Sequence, residues 1–155
     1  LALRMKHITV NQTGGSPDNF KAAFIRALQE TVESEVREIL ILVPQKSNLE
    51  HGDIENVLGR AVVKKLLKNE SVTYSDFKVS IRARTLRTIE MTPKSEVIIG
   101  AYLTPPEFEG ILAMSFDAVA AIYVPWMDAE LEAWMLKNPE LIDVPSYIAK
   151  LNKKG

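Results

Sequence analysis

Two stretches of the chain carry residue types able to do chemistry. In "NLEHGDIE", His51 stands two residues from Asp53, a pairing that could supply a general base or one corner of a metal site. His7 is the only other histidine, and neither H-x-x-x-H nor H-E-x-x-H spacing occurs, so no zinc-binding helix is encoded and no metal ligands are assigned. In "TGGSPDNF", Gly14 and Gly15 precede Ser16 and a helix start, where free backbone N–H groups attract anions. A dinucleotide site needs G-x-G-x-x-G and an acidic residue closing the second strand. Here no third glycine follows at that spacing, and the second strand ends "VPQKSN" without a carboxylate. The lysine and hydroxyl of a P-loop are missing as well. The preferred reading is a turn and a cap: Ser16 as N-cap, Pro17 at the first helical position, and Asp18 complementing the helix dipole while repelling phosphate.

Other helix starts are acidic too. Thr104 and Glu107, and likewise Ser47 and Glu50, stand at capping-box spacing, and Asp128 can cap the helix that holds Glu130 and Glu132. Capping explains such carboxylates without any ligand. Their alternative use is to hold a divalent cation or a polyhydroxylated, amine-bearing ligand. Lys46 is the basic residue nearest to them in sequence. Trp126 follows a strand exit and can floor a pocket or anchor an interface. No G-x-S-x-G elbow is present, which removes the main sequence argument for a serine hydrolase.

These residues must be positioned by a scaffold. The 155 residues suffice for one full core, and 46% hydrophobic with 25% charged residues is ordinary globular composition. A net charge of −1 gives no pull toward nucleic acid or anionic membrane. The absence of cysteine excludes disulfides, thiolate metal sites and a cysteine nucleophile, and fits a reducing, cytoplasmic setting. No run approaches the ~20 apolar residues of a membrane span, and "LALRMKHITV" is too short in apolar residues for a secretory signal. Met5 is a candidate start, which would set Leu1 to Arg4 outside the native chain.

Apolar strands alternate with helical periodicity throughout. "MKHITVN", "EILILVP", "FKVSIRART", "SEVIIGAYL" and "DAVAAIYVP" read as five strands, and continuous apolarity places the second, fourth and fifth inside a parallel sheet. Three of them exit through proline ("ILVP", "YLTP", "IYVP"), as if leaving the sheet at one edge. In the third strand Lys78, Ser80, Arg82 and Arg84 share a face, so it is expected at an edge with that face wet, the charges deterring edge-to-edge pairing. The link "TLRTIEMTPK" after it shows no helix, and either a hairpin or a crossover fits its length. Ile54, Val57, Leu58, Ala61, Val62 and Leu66 make one stripe of a single second helix.

The expectation is a single α/β domain over residues 1–155, a three-layer α/β/α sandwich of Rossmann-like or flavodoxin-like type with a mainly parallel five-stranded sheet and a basic edge strand. Ligands of such sheets bind at the carboxyl ends of the strands. There the candidate binding residues are Gly14, Gly15, Ser16, Gln45, Ser47, Thr104, Glu107, Trp126 and Asp128, with His51 and Asp53 as catalytic candidates. The leading reading is a domain that binds a small molecule or a protein partner, a second copy of itself included. A metal-assisted enzyme using His51 and the edge carboxylates is one alternative, and a structural or oligomerising protein without a pocket is another. Nucleic acid is disfavoured, since no aromatics interleave the arginines for base stacking.

Overall fold

A computed structural model describes residues 5–74, 76–90, 94–115 and 117–154. Leu1 to Arg4, and Met91 to Pro93 of the link after the third expected strand, lie outside the described residues. The elements run β1 (Lys6–Val10), α1 (Pro17–Ser34), β2 (Glu38–Leu42), a 3₁₀ turn (Lys46–Leu49), α2 (Asp53–Leu58), α3 (Arg60–Leu67), β3 (Val72–Tyr74), β4 (Val79–Arg84), β5 (Val97–Ala101), α4 (Pro105–Ala113), β6 (Ala120–Val124), α5 (Asp128–Met135), β7 (Glu140–Ile142) and α6 (Val144–Lys154). The sheet order is β3-β4-β2-β5-β6-β1-β7, and every neighbouring pair is parallel except β3 with β4.

The continuous apolar strands β2, β5 and β6 occupy the middle of this sheet, as their composition requires, and their alternating residues feed two cores. Ile39, Ile41, Ile99 and Ile122 point to one face, where they meet Phe20 and Phe24 of α1, Ile54 and Leu58 of α2, Val63 and Leu66 of α3, and Val144 at the start of α6. Leu40, Leu42, Ile98 and Tyr123 point to the other, against Phe108 of α4 and Trp134 of α5. Trp134 is fully buried, its ring 5.2 Å from Phe108 and 4.7 Å from Tyr123. Phe108 packs flat on the sheet because Gly100 offers no side chain: a Cβ there would stand 2.7 Å from its ring. Helices therefore cover both faces, and among the described residues none is long and apolar enough to cross a membrane.

The sheet has seven strands rather than five. β3 and β7 are three residues each, too short to register as a hydrophobic period. β7 is fastened through Arg26, which donates to Glu30 of its own helix at 2.9 Å and to Glu140 at 2.5 Å.

The basic strand is not an edge. β4 lies between β2 and the true edge strand β3, and Arg82 is only 5% exposed. Since β4 and β5 are both parallel to β2, the link between them is a crossover and not a hairpin. It passes over the face that carries Arg82 and Arg84, packing Leu86 and Ile89 on the core. Glu96 accepts from Arg82 at 2.5 Å and Glu90 from Arg84 at 2.6 Å. The alternating pattern was real, but carboxylates of the same chain cover the charged face instead of water.

The single second helix is also corrected, since Gly59, at φ 88°, breaks it into α2 and α3. Ser47 and Glu50 form no capping box, because Ser47 lies within the 3₁₀ turn and α2 starts after Gly52. Asp128 is the first residue of α5 and not its cap. Met127, which precedes α5, is 58% exposed.

Candidate functional site

At the carboxyl ends of the central strands the chain diverges to opposite faces. β1 and β2 lead to α1 and α2 on one face, whereas β5 and β6 lead to α4 and α5 on the other. The gap between these exits is a crevice of about 500 Å³. Gly15 comes from the β1 exit, Pro44, Ser47 and Asp53 from the β2 exit, Tyr102 from β5, and Trp126 with Glu130 from β6.

The glycine loop is built as a turn and a cap. Gly14 adopts φ 83°, its N–H donates to the Trp126 carbonyl at 2.9 Å, and the Asp18 N–H donates to Ser16 Oγ at 3.3 Å. Thr13 Oγ1 donates to Asp128 Oδ1 at 2.5 Å, tying the loop to the start of α5. A Cβ on Gly15 would stand 3.2 Å from Trp126 Cη2 and 3.7 Å from Asp53 Oδ2, so this position needs the smallest residue to let loop, ring and carboxylate converge.

Tyr102 directly follows β5 with φ 69°, a backbone region that bulky L-residues rarely enter and that marks strain when they do. This conformation carries its hydroxyl to Asp53 Oδ2, 3.0 Å away. Burial, and then the negative charge of Asp53, push the hydroxyl's pKa well above the ordinary tyrosine range, so it keeps its proton and donates. The Tyr102 ring meets Trp126 edge-on, with centroids 5.3 Å apart, and Trp126 is 49% exposed at the crevice wall. Glu130 Oε1 accepts the backbone N–H groups of Trp126 (3.1 Å) and Met127 (3.0 Å), fixing that wall.

Of the residues expected from sequence, Gly15, Ser47, Asp53 and Trp126 line the crevice. Gly14, Ser16 and Asp128 support it from the loop without lining it. Gln45 is exposed ahead of the 3₁₀ turn, its backbone N–H bonded to Asn48 Oδ1 at 2.9 Å. Thr104 and Glu107 form the expected capping box at 2.9 and 3.3 Å and are occupied with each other. His51 is exposed and borders an adjoining open depression with Asp53, Glu55 and Arg60, its ring nitrogens 3.5 Å from Glu50 and 3.9 Å from Glu55. Among the described residues no three His, Asp or Glu side chains gather as a metal site.

Tyr102 was the residue that spacing did not reveal. Its only sequence signal is a polar-tipped aromatic at the exit "YLTP", and the hydroxyl's partner lies 49 positions away. Compared with known proteins, the chain matches no family model and no curated protein.

Proposed function

We propose that this chain is a small-ligand-binding domain, of Rossmann-like or flavodoxin-like organisation, whose ligand sits in the crevice at the carboxyl ends of β2, β5 and β6. One observation carries the reading: Tyr102 is held in a strained backbone conformation that sets its hydroxyl on Asp53 beneath the half-exposed Trp126. Strain of this kind costs of order 1–3 kcal/mol and concentrates at functional sites. The place is also the one where open α/β sheets hold ligands, between loops that leave for opposite faces. A concave wall with an aromatic ring and convergent polar groups suits a small molecule better than a protein partner. The metal-assisted alternative draws less support, because among the described residues no three acidic or histidine side chains gather as a metal site.

The test is a thermal-shift screen of small molecules spanning charge and polarity, run on the wild type and on Ser47→Phe. Ser47 is exposed on the rim of the crevice, so the larger ring there fills the mouth without entering the core. Compounds that stabilise the wild type and not Ser47→Phe support the reading, since only binding to the folded state raises the melting temperature. A screen in which every stabilising compound acts equally on both proteins overturns it.

A further inference from the structure

The crevice has a charge sign, and it points to a class of ligand. Among the described residues its walls include the carboxylates of Glu50, Asp53 and Glu130 and no lysine or arginine. Lys46, the basic residue nearest in sequence, turns away and donates to the Leu67 carbonyl at 2.8 Å. The N–H of Gly14, which an anion would require, is given to the Trp126 carbonyl. Among the described residues, Asp53 and Glu130 form no ion pair, and Glu50 pairs only with His51. Beside Asp53 stands the half-exposed ring of Trp126, the two converging on Gly15.

A half-exposed indole and a carboxylate converging on one small cavity attract a positive charge by two routes, the ring quadrupole and direct Coulomb attraction. A divalent metal is disfavoured because, among the described residues, no three acidic or histidine side chains gather as a metal site. An organic cation needs fewer contacts and brings apolar surface for the indole. We propose that the occupant of this crevice is a small organic cation, an ammonium or guanidinium compound whose charged head lies against the exposed side of Trp126 and the Asp53 carboxylate. The inference rests on the ligand-binding reading above and narrows it.

Calorimetric titration with choline, agmatine and putrescine tests it, with 3,3-dimethylbutan-1-ol as the uncharged counterpart of choline. Tryptophan fluorescence provides a second readout, because Trp126 is half exposed while Trp134 is buried. At least one cation is expected to bind at millimolar concentration or better. Asp53→Asn should weaken it about tenfold, Trp126→Ala should weaken it at least as much, and the uncharged alcohol should bind about tenfold more weakly than choline. Asp53→Asn keeps an oxygen acceptor for Tyr102, so its fold is retained. If the alcohol matches choline, or if only neutral or anionic compounds bind in a manner blocked by Ser47→Phe, the cation inference falls and the ligand-binding reading stands. If no compound of any charge is blocked by Ser47→Phe, both fall together.

Discussion

Beneath the crossover, Arg82 and Arg84 are matched by Glu96 and Glu90 at 2.5 and 2.6 Å. In the crevice, Asp53 meets a tyrosine hydroxyl at 3.0 Å and no cation among the described residues. Both regions place charge on the same sheet, yet one closes its electrostatics within the chain and the other leaves them open to the cavity. The closed region lies under a crossover that links two strands directly, whereas the open one lies where exits diverge and no segment can cover the gap. A charge with its counter-charge already bonded contributes to folding. A carboxylate beside an exposed aromatic ring contributes little to folding and is free to act on something else. Substitutions in the first region should therefore register in stability, and substitutions in the second in binding.

The largest effect is expected at the buried pair. Arg82→Ala leaves Glu96 buried without its partner and should cost about 3–5 kcal/mol in denaturant unfolding. Replacing both, as Arg82→Leu with Glu96→Leu, should recover most of that loss because no orphaned charge remains. A single-variant cost below about 1 kcal/mol, the range of exposed pairs, would show that water reaches this pair and would erase the contrast.

The next effect belongs to the loop that supports the crevice. Ser16→Ala removes the cap of α1 and should cost about 1 kcal/mol by the same measurement. No change would mean that the 3.3 Å contact with Asp18 N–H does not hold the helix start. Smaller still is Tyr102→Phe, which deletes one hydrogen bond to a half-buried carboxylate and should change stability by roughly 1 kcal/mol or less. The same substitution should loosen Asp53 and reduce the affinity of any compound bound there. A loss as large as that of Arg82→Ala would make Tyr102 a structural element and weaken its assignment to a site.

The contrast also explains what could be read in advance. Continuous apolar runs located β2, β5 and β6, since strands buried on both faces have no alternative composition, and their proline exits correctly marked a shared edge. Gly15, Ser47, Asp53 and Trp126 were visible because strand exits precede helix starts. Alternation along β4 was visible too, but it reports only that one face is charged. Whether water or Glu90 and Glu96 cover that face is decided by a crossover whose described residues form no helix or strand, and which leaves no period in the sequence. Tyr102 was hidden for a related reason, as neither its left-handed backbone nor its distant partner has a local signal.

The smallest expected effect concerns acid. Arg84 donates to Glu90 and holds its carboxyl below the ordinary carboxylate range, with burial acting more weakly in the opposite direction. The folded value lies below the unfolded one, so the stability Glu90 lends is fully present above the ordinary value of 4.5 and is lost as pH falls through the lower folded value. Glu90→Gln should accordingly flatten the fall in melting temperature between about pH 5 and 3. Other depressed carboxylates, such as Glu140 beside Arg26, remain in both proteins and cancel from the difference. Tyr102 runs the other way: its hydroxyl is pushed upward, keeps its proton, and should leave binding in the crevice flat between about pH 6 and 9. Parallel acid limbs for wild type and Glu90→Gln would show that Arg84 does not discriminate between the charged and neutral carboxyl. A break in crevice affinity near neutral pH would bring another titrating group into the site.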